Sequence, residues 1–435
     1  MRNETGSTVA SCYTERMPCL RAMGALILFR RACAVLLALG VASLYGASSA
    51  SGADSLSDTL VVLPFFNLSP ASGPDWVGES VAETLREALA GRGLIVLDRE
   101  DRLAAYRQLG LRPGALLTRA SVLKFGEALD ADQVIYGEYF INSAPGQPAS
   151  LRLTARVLNL RRMSQGQEFS ETGPLTDLEQ LESHLAWQVL RYLSPQNAPS
   201  EEEFRKSEVP VRVDALENYI RGLMTNDADQ KQKFLLEAVR LDSRFSQPAF
   251  QLGRLAMAKK DYKNAAMYLS RVQPGRMQFR EASFWFGIAK FYLGDAASAA
   301  RAFETVLQTV PLNEVFNNLG AAQLRKDPAP AIESFRKAVE GDPNDPTYRF
   351  NLGYALWKRG DFAEAAENLK VVLERAPEDP DAPELLERCN QKIAYRFART
   401  KRDGLERLKT NYEERAYWQL RAALQPNKPQ PGDVK

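Results

Sequence analysis

The sequence has few of the side chains that build common active sites and metal centres. Its 435 residues include a single histidine, His184, and four cysteines, three of which lie before residue 34. A histidine metal cluster or an HExxH site therefore cannot be assembled, and neither a GxxxxGK[ST] nor a GxGxxG phosphate loop is present. We expect no cofactor, no metal and no catalytic residues.

Net charge is also small. The formal charge of the chain is +2, and five arginines and two glutamates give residues 1–53 a charge of +3, which leaves −1 for the remainder. This balance gives no overall electrostatic footprint for nucleic acid. The apolar and charged fractions, 45% and 25%, are those of an ordinary globular protein of two or three domains.

The first 53 residues are typical of a targeting segment. Arg30-Arg31 precede an apolar run from Ala32 to Ala47, and small residues follow as far as Ala53. This order predicts a secretory signal that is cleaved after Ala50 or Ala53. The start of translation is open between Met1, Met17 and Met23.

Processing of this signal would place the protein in the periplasm or at the cell envelope of a bacterium. Only Cys389 would remain, so no intrachain disulfide framework is expected. The alternative is an uncleaved signal that anchors the chain in the inner membrane, although the apolar run is short for a membrane span.

Residues 212–379 repeat a pattern every 33 or 34 residues. In the clearest copy, residues 346–379, Gly353 and Ala365 are small where two helices would cross, and Gly360 stands where the chain would turn. The copies are residues 212–245, 246–279, 280–312, 313–345 and 346–379. The pattern resembles the tetratricopeptide repeat (TPR), a helix-turn-helix unit that stacks into a solenoid. We predict an all-α solenoid of five repeats.

The resemblance to TPR proteins implies which residues face a concave groove. At position 5 of the first helix four copies have an aromatic residue and one has Asn317, and further aromatic and cationic residues extend this surface. The predicted groove residues are Tyr219, Phe250, Arg254, Phe284, Phe291, Tyr292, Arg325, Phe350, Tyr354, Trp357 and Lys358. Such a groove suits an extended or helical peptide. The alternative is that these aromatic residues only pack between repeats.

Residues 54–193 alternate between strand and helix patterns. Strands are predicted at residues 60–65, 94–98, 133–141 and 150–160, the last two antiparallel, and helices at 76–89, 99–109, 118–129 and 177–192. This pattern predicts a mixed sheet covered by helices. The segments VVLPFFNLSP, LDADQVIYGEY and LRLTARVLNL resemble the TolB amino-terminal-like domain. That resemblance implies a non-catalytic module of bacterial envelope and signalling proteins, with departures at Gly78-Glu79 and at residues 112–117.

Two segments lie outside the modules. Residues 194–211 are rich in proline, serine and charge, which predicts an exposed linker that lets the modules reorient. Residues 380–435 are expected to form a helical cap and tail. Between Arg388 and Lys409 the tail has eight lysines or arginines, with Tyr395 and Phe397 interleaved. It is either a basic helix that contacts anionic lipid or an acidic partner, or the solvated face of a capping helix.

The sequence thus predicts a non-catalytic protein-protein interaction scaffold in the bacterial cell envelope, which binds partner peptides in the TPR groove. The alternative is a membrane-anchored signalling or ligand-sensing regulatory protein. The identity of the partner and the oligomeric state stay open.

Overall fold

The computed structural model describes residues 58–69, 74–143, 146, 148–395 and 404–424. The predicted signal, residues 1–53, lies outside the described residues, as does Phe397. All described residues belong to one compact unit. None of the helices in this part of the chain combines the length and the hydropathy needed to cross a membrane.

The first part of the described chain is a mixed β-sheet with helices, as the alternating pattern predicts. Its strands are β1 (Thr59–Val62), β2 (Phe66–Asn67), β3 (Ile95–Val96), β4 (Gln133–Asn142), β5 (Ser150–Asn159) and β6 (Ser164–Pro174). The order is β3-β1-β4-β5-β6, with β2 beside β4. Strand β1 pairs in parallel with β3 and β4, whereas β4, β5 and β6 are antiparallel.

Helices pack on this sheet where the sequence has amphipathic periodicity. They are α1 (Trp76–Ala90), α2 (Arg99–Gln108), α3 (Arg119–Ala128) and α4 (Leu178–Leu193). Helix α1 buries Val77, Val81, Leu85 and Leu89, which lie four residues apart and therefore on one face. Helix α2 is capped by Asp98, whose side chain accepts a hydrogen bond from the Asp101 N–H at 2.9 Å.

The segment predicted to be an exposed linker contains a short helix, α5 (Glu201–Ser207). Its Phe204 is 2% exposed, and the guanidinium of Arg92 lies 5.4 Å from the centre of the Phe204 ring. The hydrophobic core that begins in the sheet continues through Phe204 into the first repeat. The sheet and the repeats are therefore docked, and the linker is partly buried between them.

Each of the five predicted repeats is a helical hairpin. The helix pairs are α6 (Val213–Met224) and α7 (Ala228–Leu241), α8 (Ser246–Ala258) and α9 (Tyr262–Leu269), α10 (Phe279–Tyr292) and α11 (Ala296–Leu307), α12 (Asn313–Leu324) and α13 (Pro328–Gly341), and α14 (Pro346–Arg359) and α15 (Phe362–Arg375). Consecutive hairpins are in contact along the whole array. Stacking lets each hairpin cover the apolar face of its neighbour.

The hairpins have a shared local chemistry. In the first four, an aspartate side chain caps the second helix by accepting a hydrogen bond from a first-turn N–H. These caps are Asp227, Asp261, Asp295 and Asp327. In the fifth hairpin Gly360 turns the chain with φ +101°, a left-handed conformation that favours glycine. Gly320 allows close crossing, since a Cβ there would lie 2.7 Å from the Phe335 ring.

The carboxyl-terminal region departs from the predicted helical cap and tail. Helix α16 (Ala382–Asn390) does pack against α15 as the next helix of the array. Residues 405–413, however, are neither helix nor strand, and only then does helix α17 (Glu414–Leu424) begin. The helical tail predicted here is therefore wrong for residues 405–413, whose backbone groups bind side chains of the repeats instead.

Candidate functional site

The first helices of repeats three to five present one polar and aromatic face, which we call the groove. Its members are Arg280, Phe284, Glu314, Asn317, Asn318, Tyr348, Phe350 and Asn351, on α10, α12 and α14. Residues 404–413, which we call the groove segment, lie across this face without forming a helix or a strand. They run from the fifth repeat back towards the third, antiparallel to the order of the repeats.

Asparagine side chains in the groove bind the backbone of the groove segment. The Asn351 Nδ2 donates to the Arg407 carbonyl at 2.7 Å, and the Arg407 N–H donates to the Asn351 Oδ1 at 2.9 Å. Asn318 makes the same pair of hydrogen bonds to Lys409, both at 2.8 Å. One asparagine amide can satisfy the donor and the acceptor of one residue. Because alternate residues of an extended chain face the same side, two asparagines bind residues two apart.

A third asparagine connects the other two. The Asn317 Nδ2 donates to the Arg407 carbonyl at 2.9 Å, and the Asn317 Oδ1 accepts from the Asn351 Nδ2 at 2.7 Å. Asn317, Asn318 and Asn351 are all 0% exposed. Buried amides need partners, and here the groove segment supplies several of them.

Acidic and aromatic groups of repeats four and five hold the two basic side chains of the groove segment. The Arg407 guanidinium lies 3.3 Å from the centre of the Phe350 ring. It also forms a hydrogen-bonded ion pair with the Asp379 carboxylate. This hydrogen bond from Arg407 holds the pKa of Asp379 below its usual value. The Lys409 ammonium pairs with Asp345 at 2.5 Å and lies 4.9 Å from the centre of the Tyr348 ring. The site thus recognises two cations, each over an aromatic ring.

The remaining contacts extend the site at both ends. The Glu406 side chain is 1% exposed and lies 3.1 Å from the Arg325 guanidinium, which rests 4.8 Å from the centre of the Phe291 ring. At the other end, the Tyr412 ring lies 5.0 Å from the Phe284 ring, centre to centre. Burial raises the pKa of the Tyr412 hydroxyl, so that it stays protonated.

The chain that follows the groove segment continues to the sheet domain. The Glu413 N–H donates to Glu314 at 2.9 Å, and Arg280 pairs with Glu414 at 2.6 Å. Arg415 pairs with Asp101 and lies 3.4 Å from Asp98, the residues that cap helix α2. The carboxyl-terminal region therefore bridges the repeats and the sheet domain.

The structure brings several of the predicted groove residues to the carboxyl-terminal region. Phe284, Arg325 and Phe350 contact Tyr412, Glu406 and Arg407 as described above. The Trp357 Nε1 donates to the Ile393 carbonyl at 2.8 Å, and the Lys358 ammonium lies 4.7 Å from the Tyr395 ring centre. Two more, Phe291 and Tyr354, stack beneath these residues.

Four predicted residues lie elsewhere. Tyr219 is buried against Phe245 at the interface with the sheet domain. Tyr292 is 51% exposed and stacks on Tyr262, away from the groove segment. Phe250 and Arg254 contact each other in the second repeat, with the guanidinium 6.0 Å from the ring centre.

Sequence reasoning missed the asparagines as binding residues. The predicted site follows the aromatic row, to which Asn317 is the exception, and Asn318 and Asn351 stand one position after that row. The available signal was the triplet Asn-Leu-Gly, which occurs at residues 318–320 and again at 351–353. Because position 6 of two adjacent repeats carries the same amide, both side chains point into the groove.

A second polar site lies where the sheet domain meets the first two repeats. A cavity of about 270 Å³ there is lined by Glu179 and Glu182 of α4, by Glu87 of α1 and by residues of the repeats. The two oxygens of Glu87 accept hydrogen bonds from Gln247 at 2.7 Å and Gln278 at 2.8 Å. Burial raises the pKa of Glu179 to about 7 and that of Glu182 to about 8.

The one histidine takes part in a local polar contact. The His184 Nδ1 lies 2.7 Å from Glu171, which also accepts from Gln188, and its ring stacks on Trp187. Among the residues described, no group of three or more His, Cys, Asp or Glu side chains is placed to hold a metal ion. Cys389 is buried, which raises the pKa of its thiol to about 11.

Comparison with protein families identifies the repeats that form the groove. Residues 286–346 and 325–380 match the model of the tetratricopeptide repeat. These ranges cover most of repeats three to five, so the chain contains tetratricopeptide repeats there, as predicted. Such repeats generally mediate protein-protein interactions through their extended inner surface.

Individual proteins resemble parts of the chain. Over 63 residues it is 36% identical to the bacteriophage adsorption protein A of Escherichia coli (strain K12), which is 14% of this chain and 6% of that protein. YrrB, a TPR protein with an unusual peptide-binding site, is 17% identical, with a TM-score of 0.38, over 42% of this chain and 95% of its own.

Two further solved structures each resemble part of the chain. MamA from Desulfovibrio magneticus RS-1 is 23% identical over 39% of this chain and 99% of its own, with a TM-score of 0.35. The LpoB C-terminal domain from Salmonella enterica is 22% identical over 27% of this chain and 83% of its own, with a TM-score of 0.23.

Proposed function

We propose that this protein is a non-catalytic interaction scaffold that binds extended peptide segments of partner proteins in the groove of repeats three to five. The proposal places it in the bacterial cell envelope, exported by the segment before residue 54 and carrying a TolB-like amino-terminal domain. No nucleic acid takes part, and no cofactor is needed.

One observation carries the peptide-binding proposal. The side chains of Asn318 and Asn351 each make two hydrogen bonds to the backbone of a residue in an extended chain. Backbone recognition of this kind works for any extended sequence, and the surrounding charged and aromatic groups then select among sequences. A groove that binds the backbone of Arg407 and Lys409 of its own chain in this way has the chemistry to bind a partner.

The test uses the full chain with the substitutions Arg407→Glu and Lys409→Glu, which we call the released variant. Both changes place a negative charge beside a carboxylate, that of Asp379 or Asp345, and so repel the groove segment. An array of unstructured ten-residue peptides is probed with this variant and with the same variant carrying Asn318→Leu and Asn351→Leu. We expect the released variant to retain peptides and the asparagine variant to lose them. Equal retention by both proteins would contradict a role for the groove.

The cellular location of the protein is tested in a separate experiment. Cell fractionation and amino-terminal sequencing of the cell-derived protein should give a periplasmic or membrane-associated product that begins near residue 51 or 54. An intact amino terminus in the membrane fraction would instead support the anchored alternative. Recovery in the cytosol would refute export.

The cavity between the sheet domain and the first repeats favours a second candidate function, sensing of a small ligand. Its buried Glu182 carboxyl has one oxygen that accepts from Thr84 at 2.8 Å and another with no hydrogen-bond partner. A small amine would supply a donor. Spermidine should then slow hydrogen exchange in α1 and α4 of the wild type but not of Glu182→Gln, and unchanged exchange in both would reject this candidate.

A further inference from the structure

The groove segment contacts the repeats through its own side chains as well as through its backbone. Glu406 pairs with Arg325, Arg407 with Asp379 and Lys409 with Asp345. The arrangement therefore defines a ligand: an acid, a cation directly after it, a second cation two residues later and an aromatic residue three residues beyond that. Tyr412 is the aromatic residue, against Phe284.

We propose that the groove segment is an internal ligand that closes the groove, and that a partner enters by displacing it with an extended peptide of the same chemistry. That chemistry is Glu-Arg-x-Lys-x-x-Tyr or its conservative equivalents. The inference rests on the proposed function, because it assigns the ligand class and the regulation of the same groove.

The contacts of the groove segment permit displacement. Leu405, Leu408 and Tyr412 are only half-buried, and Thr410 and Asn411 are exposed, so the segment has no fully buried apolar anchor. Its attachment depends on hydrogen bonds and on ion pairs that are partly open to water, which salt weakens. A competing peptide can replace the same contacts one for one.

The charges of the groove oppose an acidic ligand at the centre. Asp345, Asp379 and Asp381 surround the two basic side chains, and Arg407 lies 3.2 Å from Asp381 as well. Without the groove segment these carboxylates would leave an acidic site beside the Phe350 and Tyr348 rings. A peptide with two cations neutralises that site, whereas one with two acids is repelled.

Tethering determines how strongly the internal ligand competes. A short tether gives an effective concentration on the order of 1 mM, and a free peptide of this kind would bind with a dissociation constant on the order of 10 µM. The ratio predicts that the groove segment weakens apparent binding of an external peptide by about 100-fold.

The test measures binding of a fluorescein-labelled peptide with the sequence of residues 404–418. The proteins are the full-length wild type, the released variant, and the released variant with Asn318→Leu and Asn351→Leu. We expect the released variant to bind the peptide about 100-fold more tightly than the wild type. The asparagine variant should bind it at least 30-fold more weakly than the released variant. Circular dichroism and the melting temperature confirm that each protein is folded.

Other outcomes overturn specific parts of the proposal. Equal affinity of the wild type and the released variant would show that the groove segment does not close the groove, and the proposed function would stand. If the released variant retains peptides on the array but not this one, the assigned ligand chemistry is wrong. If it retains none, the proposed function itself fails.

A second copy of the chain is the remaining occupant to distinguish. If the groove segment enters a neighbouring molecule, light scattering should show a dimer of the wild type that the released variant does not form. That result would refute an internal ligand in favour of exchange between copies. A monomeric wild type with weak peptide binding supports the internal ligand.

Discussion

The substitution Asn351→Leu tests the attachment of the groove segment with the least disturbance of shape. Leucine has the same branched shape as asparagine, with two heavy atoms on Cγ, but can neither donate to the Arg407 carbonyl nor accept from the Arg407 N–H. The helix around residue 351 keeps its own backbone hydrogen bonds. The carbonyl of Arg407 also keeps its bond from Asn317, at 2.9 Å.

The expected effect follows from the two lost hydrogen bonds. Each contributes about 1 kcal/mol net, so detachment of the groove segment becomes more favourable by about 2 kcal/mol. Since 1.4 kcal/mol corresponds to a factor of ten, the detached population rises about 30-fold. Burial of the unpaired Arg407 N–H in the attached state increases this factor further.

Hydrogen exchange of backbone amides reads this equilibrium directly, because the N–H groups of Arg407 and Lys409 donate to the asparagines. In Asn351→Leu, peptides covering residues 405–413 should exchange about 30-fold faster than in the wild type. Peptides covering α14 should exchange at their former rate. Asn264→Leu, an exposed asparagine in the second repeat, is the matched control and should leave the groove segment unchanged.

Two results would refute this reasoning. Unaltered exchange of residues 405–413 in Asn351→Leu would mean that the asparagine does not hold the segment. Faster exchange throughout the repeats would mean that residue 351 acts by stabilising the solenoid rather than by binding the segment.

Three further predictions concern the scaffold. Glu182→Gln should raise the free energy of unfolding at pH 8 by on the order of 4 kcal/mol and leave it unchanged at pH 4, measured in urea. The unfolded chain loses this proton near pH 4.5, whereas the folded protein keeps it to about pH 8, so stability falls as pH rises between these values. Gly320→Ala should lower the free energy of unfolding by about 1–3 kcal/mol, since its Cβ would crowd Phe335. An unaltered urea midpoint would contradict the close crossing of α12 and α13. Phe204→Ala should lower the free energy of unfolding by about 3–5 kcal/mol and make α5 susceptible to protease. Unchanged stability and protection would mean that the linker is not docked.

Much of the fold follows from local patterns in the sequence. The five hairpins are predicted because small residues such as Gly320 and turn residues such as Gly360 recur at fixed positions, where only they fit. Strand β5 is predicted because its apolar residues alternate, and β4 because it is rich in Val, Ile, Tyr and Phe. Strand β6 is missed, since residues 164–174 are polar and only Phe169 is buried. Its pairing with β5, rather than its own composition, makes it a strand.

The groove segment shows why part of the site is beyond sequence patterns. Leu405, Leu408 and Tyr412 have the spacing of a helix face, which favours the helical interpretation. In the structure the asparagines of the groove take over the backbone hydrogen bonds that a helix would need. These partners are 56 and 91 residues distant along the chain. No local sequence pattern can show that hydrogen bonds to such distant side chains replace those of a helix.

Separation along the chain also explains why only some of the predicted groove residues contact the carboxyl-terminal region. Repeat position predicts that Phe284, Phe350 and Trp357 share one surface, and in the structure each of them contacts the carboxyl-terminal region. It could not indicate that the sheet domain covers Tyr219, because docking depends on the complementary surface of α1. Nor could a search for aromatic residues find Asn318 and Asn351, whose role depends on a segment lying across them.

Backbone recognition is the central claim, and N-methylated peptides test it most directly. The peptide of residues 404–418 is made with N-methyl groups at Arg407 and Lys409, which removes both donors to the asparagines and keeps every side chain. Its affinity for the released variant should fall at least 30-fold, from two lost hydrogen bonds of about 1 kcal/mol each. A peptide methylated at exposed Thr410 should bind like the unmodified one. Equal affinity of all three peptides would contradict the account.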